Sequence, residues 1–220
     1  MKRFLRTGLI LVLGVFAMSA LAQDGRASLL DAAAGGRAAE VSRLIAAGAD
    51  LDIRDAQGRS PLLLAVAGNH IAVAKALLAA GANINAQAAN RDTPWLLAGA
   101  AGRAEIVAAM IPLKPDLTIR NRYGGNALIP ACERAHVETV KLLLTSGIDL
   151  NHVNDLGWTC LLEIVILGDG GTRHQEVAKL VLDAGADPSL ADKDGVSPLA
   201  HARQRGQRAV AALIEKAGGR

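Results

Sequence analysis

The sequence predicts an all-α solenoid of six helix-turn-helix units joined by short hairpin tips. The first indication is a marker of Ser or Thr, Pro and a large apolar residue that recurs about every 33 residues. Its copies begin at Ala27, Ser60, Thr93, Asn126, Thr159 and, after five extra residues, Ser197. The second is a closing Gly-Ala-Asp motif, whose copies begin at Gly48, Gly81, Gly147 and Gly185. The third is an alanine-rich composition with only 2% aromatic residues, which suits close packing of helices.

The first helix of each unit begins at the marker. Ser60 is a suitable N-cap, and Pro61 suits the first helical position because its fixed φ angle is already helical. Leu62, Ala65 and Val66 then recur at helical spacing and form one apolar face. We therefore expect a helix of about two turns after every marker.

The second helix follows a Gly-His or similar break. Val73, Leu77 and Leu78 form its apolar face, and Gly81 provides a left-handed C-cap. Isolated helices shorter than about 12 residues are marginal in water, so each unit must bury its faces against neighbouring units.

These units resemble ankyrin repeats, which carry Thr-Pro-Leu-His, two alanines, Gly-His and a Leu-rich second helix ending in Gly-Ala-Asp. The resemblance covers nearly all of the chain after residue 23. The His of the first turn is replaced by other residues throughout: Leu30, Leu63, Leu96, Ile129, Leu162 and Ala200. The predicted units span about 24–56, 57–89, 90–122, 123–155, 156–193 and 194–220.

Residues 1–22 have the pattern of a secretory signal peptide, followed by a repeat domain at 23–220. Three basic residues precede an apolar run, and Ala20-Leu21-Ala22 is a cleavage motif. The alternative is a membrane anchor, but the run from Gly8 to Ala22 is shorter than the roughly 20 residues that a span needs. We therefore expect a bacterial protein that is periplasmic or secreted and has no membrane association after cleavage.

The charge balance argues against nucleic acid as a partner. The whole chain has 24 basic and 21 acidic residues, and removing the three basic residues of 1–22 leaves 21 of each. No basic patch with interleaved aromatics appears in the repeats. No catalytic motif or metal-ligand spacing is present, so we predict a non-enzyme without cofactor or metal.

Two cysteines and the break histidines are predicted to be structural. Cys132 and Cys160 lie in neighbouring units, whose helices are expected to be roughly 10 Å apart. A disulfide needs Cα atoms about 4.4–6.8 Å apart, so two buried thiols are favoured over a bond. The histidines at the repeat-determined break positions are His70, His136 and His174.

The resemblance implies that the hairpin tips and the exposed side of the first helices bind another protein. The expected exposed helix positions are Leu64, Ala67, Leu97, Ala100, Pro130, Glu133, Arg134, Glu163, Ile166 and Leu167. Large aromatics and both charge signs coincide only at units four and five, and aromatics and Arg are common interface anchors. The predicted partner-binding residues are Arg120, Arg122, Tyr123, Glu133, Arg134, Asp155 and Trp158. The alternative for Tyr123 and Trp158 is that each ring packs on its own hairpin.

Three irregularities occur near this region. Lys114 stands where other units have the capping Gly, Arg91 stands where the hairpin Gly is expected, and residues 169–173 are inserted between the two helices of unit five. They reflect either drift in a tolerant solenoid or a curvature adjusted to a partner.

The sequence thus indicates a monomeric, exported scaffold that binds a protein of unknown identity. One hypothesis is an adaptor or stabiliser of a partner enzyme, since small exported bacterial proteins of this kind have been connected with peroxide defence. The other is an immunity or inhibitor protein that occupies a toxin or hydrolase.

Overall fold

A computed structural model describes residues 29–220, so the predicted signal peptide lies outside the described residues. Helix α1 is helical over residues 29–34 of this part. The other helices are α2 Ala38–Ala46, α3 Pro61–Ala67, α4 Ile71–Ala79, α5 Pro94–Ala100, α6 Ala104–Met110, α7 Leu128–Glu133, α8 Val137–Leu144, α9 Cys160–Ile166, α10 Thr172–Asp183, α11 Pro198–Gln204 and α12 Arg208–Lys216. The described residues contain no β-strand, so the predicted all-α class is confirmed.

Side-chain caps start the first helices. Ser60 Oγ accepts a hydrogen bond from the Leu63 backbone N–H at 3.2 Å, and Thr93 and Thr159 accept equivalent bonds. Each bond satisfies a backbone donor that the first helical turn leaves free. In unit four Asn126 takes this role, because its Oδ1 accepts from the N–H groups of residues 128 and 129. The first helix of unit four is therefore capped even though its marker lacks the Pro.

Left-handed residues end the second helices. Gly48, Gly81, Gly147 and Gly185 have φ angles from 78° to 97°, which glycine adopts without steric cost. In unit three this position is Lys114 at φ 52°, after a 3₁₀ turn over Ile111–Leu113. The turn ends a second helix that is only seven residues long, so the chain keeps the capping geometry with an unfavourable residue.

The helices form two layers with one continuous core. The first helices contact one another in the order α3, α5, α7, α9 and α11. The second helices do so in the order α2, α4, α6, α8, α10 and α12. Small residues permit the close approach of α5 and α7, because a Cβ added at Gly99 would lie 2.5 Å from the Ala127 carbonyl oxygen. Trp95 takes the place of the buried Leu of its unit and is 2% exposed, so its ring lies in the core.

The expectation of two unbonded thiols is wrong, because Cys132 and Cys160 form a disulfide with a Cα–Cα distance of 5.6 Å. The error came from using the typical axial distance of packed helices. Cys160 lies at the first residue of α9, directly beside the end of α7, where the two backbones come closer than that average. Both residues are at most 1% exposed.

Histidines at the breaks connect neighbouring units. His70 Nε2 lies 2.9 Å from the Ala34 carbonyl oxygen, and His174 Nε2 lies 2.9 Å from the Glu133 carbonyl oxygen. The inserted segment of unit five is fixed in the same way, since Arg173 donates to the Ala135 carbonyl oxygen at 2.9 Å. These bonds join the units on the side of the solenoid away from the tips. No helix among residues 29–220 is long and apolar enough to cross a bilayer.

Candidate functional site

A concave cavity of about 480 Å³ lies where the tips meet the first helices of units three to five. We call it the central groove. Its walls come from the hairpin tips and from α5, α7 and α9, and the lining residues are Asp92, Leu97, Ala100, Asn121, Arg122, Tyr123, Gly125, Ile129, Pro130, Glu133, Arg134, Asn154, Leu156, Glu163 and Leu167.

Large exposed apolar side chains are concentrated in this groove. Tyr123 is 51% exposed, Leu167 is 50% exposed and Leu156 is 48% exposed, and all three line the cavity. Only two other large apolar side chains of residues 29–220 are comparably exposed, Leu113 and Val153, and neither lines it. Contiguous exposed apolar surface on a soluble domain commonly marks an interaction site.

The tip of unit four is held rigid by Asn121. Its Oδ1 accepts hydrogen bonds from the backbone N–H groups of Tyr123 at 2.8 Å and Gly125 at 2.9 Å. The Arg122 guanidinium lies 4.6 Å from the centre of the Tyr123 ring. Cation–π contact favours this arrangement, so the aromatic and the charge are presented together.

Both charge signs occur in the groove. Burial raises the pKa of Asp92, and the nearby Arg122 opposes this rise. Directly after α7, Arg134 Nη1 donates to the Ala100 carbonyl oxygen at 2.6 Å, while its Nη2 lies 3.9 Å from the Glu133 carboxylate. The Arg134 guanidinium is thus fixed mainly by the backbone of the preceding unit.

Glu163 lies at the base of the groove and was expected to be exposed, which is wrong. It is 5% exposed, and Asn154 Nδ2 donates to its Oε1 at 2.9 Å. Burial and then the neighbouring Glu133 carboxylate raise its pKa to about 7, while the Asn154 bond and Arg134 oppose the rise. The residue is covered because tip residue Asn154 folds over α9. Leu64, expected to be exposed in unit two, is also buried.

The seven predicted binding residues fall into two groups. Arg122, Tyr123, Glu133 and Arg134 line the central groove, whereas Arg120, Asp155 and Trp158 do not.

The second group takes part in contacts within and between tips. Arg120 donates to the Ile119 carbonyl oxygen at 3.3 Å, and Asp155 donates its backbone N–H to the Tyr123 carbonyl oxygen at 2.9 Å. Trp158 is half-buried.

Several groove residues were not among those predicted. Leu156 has a signal in the sequence, because a large apolar residue at a hairpin tip has no core to enter. Glu163 was expected on the exposed side of the first helix of unit five, but its hydrogen bond with Asn154 has no signal in the sequence, because the bond depends on how the tip folds over the helix. Among residues 29–220 no group of three His, Cys, Asp or Glu side chains is arranged to hold a metal.

The groove and the repeated helix pairs define a class of binding scaffold, and comparisons identify its family. A family model described as ankyrin repeats matches residues 8–88 and 86–154. Since these matches cover more than half of the chain, the protein belongs to the ankyrin repeat family. Ankyrin repeats are protein–protein interaction scaffolds.

Known proteins show the same relationship. An ankyrin repeat domain from Acinetobacter baumannii AYE has a TM-score of 0.84 and 45% identity, covering 87% of this chain and 98% of that domain. Ankyrin repeat protein YahD of Escherichia coli is 46% identical over 110 residues, which are 50% of this chain and 55% of YahD. The chain thus spans about half the length of that relative. Cyclin-dependent kinase 4 inhibitor B of Bos taurus is 34% identical over 99 residues, 44% of this chain and 71% of that protein.

Proposed function

We propose that this protein is an exported scaffold that binds one partner protein in the central groove and adapts or stabilises it. The observation that carries the proposal is the clustering of Tyr123, Leu156 and Leu167, each about half exposed, in one cavity. Apolar anchors surrounded by charges of both signs are the composition of a specific protein interface.

Export is supported by the disulfide and by the predicted signal peptide. Bonds such as Cys132–Cys160 persist in oxidising compartments and are rare in the bacterial cytosol. A periplasmic or secreted location is therefore part of the proposal. The connection with peroxide defence stays a prediction from the resemblance.

A second candidate is an inhibitor that occupies its partner. It is favoured by one observation, the similarity to cyclin-dependent kinase 4 inhibitor B of Bos taurus. In both candidates the same groove holds the partner, and the effect on the partner's activity distinguishes them. A stabiliser raises the lifetime of an active partner, whereas an inhibitor lowers its turnover.

The test is an affinity measurement with two matched double variants. Immobilised protein of residues 23–220 captures partners from a periplasmic extract of the bacterium that encodes it, and the affinity of the recovered protein is then measured in purified form. Tyr123→Ala with Leu167→Ala should weaken binding by at least about 30-fold, which corresponds to roughly 2 kcal/mol. Leu113→Ala with Val153→Ala removes equally exposed apolar groups outside the groove and should leave the affinity unchanged.

Stability is measured alongside affinity. Because Tyr123 and Leu167 are about half exposed, their replacement should lower the free energy of unfolding by no more than about 1 kcal/mol. Equal affinities for both double variants would overturn the groove as the binding site.

A further inference from the structure

Resting on the proposed function, we propose that the base of the central groove receives a positively charged side chain, arginine or lysine, of the partner protein between Glu163 and Glu133. The entering residue would thus carry a positive charge, in addition to the apolar contacts that surround it. This follows from the position, burial and incomplete pairing of Glu163.

Glu163 is unusual for its place in the repeat. The corresponding positions in the other units are Asp31, Leu64, Leu97, Pro130 and His201, and the one other acidic residue among them, Asp31, is exposed. A carboxylate at a 5% exposed position loses most of its hydration, which is costly unless a cation or several hydrogen bonds replace the water. The bond from Asn154 is the one hydrogen bond that the structure gives this carboxylate within residues 29–220. Its second oxygen is thus left for a donor that enters the cavity.

The neighbouring charged groups do not neutralise the Glu163 carboxylate. At the end of α7, Glu133 adds a second negative charge and lies 3.9 Å from Arg134 Nη2. Arg134 partly opposes the negative charge at Glu163, but its Nη1 is held by the Ala100 carbonyl oxygen at 2.6 Å. From α11, His201 at the equivalent position is paired with Asp192 at 2.7 Å. Arg122 and Asp92 line the same cavity at the tips. Among the described residues around Glu163, no cation forms an ion pair with it, since the structure records none at 4.0 Å or less.

The disulfide fixes the two acidic positions relative to each other. Glu133 follows Cys132 directly at the end of α7, and Glu163 lies one helical turn after Cys160 on α9. A bound cation would therefore meet carboxylates that are already in place, and preorganisation of this kind reduces the entropy lost on binding.

The charge coupling gives the binding a pH dependence of definite sign. With its pKa raised to about 7, Glu163 is largely protonated in mildly acidic solution, and a cation favours its ionised form. Binding of the cation should therefore release a proton and strengthen as the pH rises from about 6 to 8.

The first experiment uses small probes. N-acetyl-arginine amide and N-acetyl-lysine amide carry the proposed groups, N-acetyl-norleucine amide is the uncharged control, and N-acetyl-aspartate amide carries the opposite charge. All are added at matched ionic strength to protein with ¹³C-labelled glutamate carboxyls. The Glu163 resonance is assigned by Glu163→Gln, and its titration is followed by NMR. We expect a basic probe to lower the Glu163 pKa by about 0.5 unit or more. Equal effects of the norleucine or aspartate probe, or no effect of any probe, would overturn the proposal.

The second experiment uses the partner recovered through the groove. Glu163→Gln retains an oxygen that can accept from Asn154 but removes the charge, and it should weaken partner binding at least tenfold at pH 8 and less at pH 5.5. The matched control Glu105→Gln removes an exposed charge on α6, outside the groove, and should change nothing. If the Tyr123 and Leu167 pair weakens binding while Glu163→Gln does not, this inference fails and the proposed function stands. If neither weakens binding, both fail.

Discussion

Reduction of the Cys132–Cys160 bond is expected to cost this scaffold a large part of its stability. The bond joins residues 28 positions apart and closes a loop that includes all of α8 and the tip between units four and five. Restricting a loop of this length in the unfolded chain corresponds to about 3.6 kcal/mol at 25 °C. For a domain of this size, a loss of that magnitude lowers the melting temperature by roughly 7–14 °C.

The assay compares guanidinium unfolding of the same protein with and without a reductant. Reduction leaves both sulfur atoms in the core and creates no cavity. The difference in free energy of unfolding between the oxidised and reduced protein therefore measures the effect of the cross-link alone. The control is Cys132→Ala with Cys160→Ala, whose unfolding should not respond to the reductant. Identical unfolding of oxidised and reduced wild-type protein, or an intact mass showing two free thiols after preparation under oxidising conditions, would refute the reasoning.

Three further predictions concern single features of the fold. Between pH 4.5 and 7 the folded protein holds the Glu163 proton more tightly than the unfolded chain does. The stabilisation from this group is therefore complete below pH 4.5 and is lost as the pH rises to about 7. The free energy of unfolding should fall more steeply over this range for wild type than for Glu163→Gln, by at most about 3 kcal/mol in total. Arg91 has a φ angle of 65°, so Arg91→Gly should raise the free energy of unfolding by roughly 0.5–1 kcal/mol, and a loss would show that its side chain is needed. Deleting residues 197–220 removes α11 and α12, which contact α9 and α10, and so uncovers fully buried residues such as Val165 and Val181. The last unit of a solenoid protects its neighbour from solvent, so light scattering should detect aggregation, and a soluble monomer would contradict this role of unit six.

The fold could be predicted from the sequence because the same helix start and stop signals recur from unit to unit. A capping Ser or Thr, an apolar face and a left-handed end recur in register, so one deviation such as Asn126 does not disturb the pattern. The site was only partly predictable. Tyr123 and Arg122 are large residues at a tip where the repeat imposes no packing, and they line the groove.

What sequence reasoning missed depends on distances between neighbouring units. The approach of α7 and α9 places Cys132 within bonding distance of Cys160, but the period fixes register and not the local separation of backbones. The burial of Glu163 likewise depends on Asn154 covering it, a contact between a tip and the first helix that follows it, which no helical periodicity encodes.

Site-specific photo-crosslinking can show whether a partner protein occupies the central groove. A photoreactive phenylalanine analogue replaces Tyr123 in one protein, Leu167 in a second and Glu105 in a third; Glu105 lies on α6, outside the groove, and its side chain is 66% exposed. If the partner occupies the groove, positions 123 and 167 should both crosslink to the same protein and position 105 should not. Crosslinks from position 105 alone, or equally from all three positions, would contradict occupation of the groove.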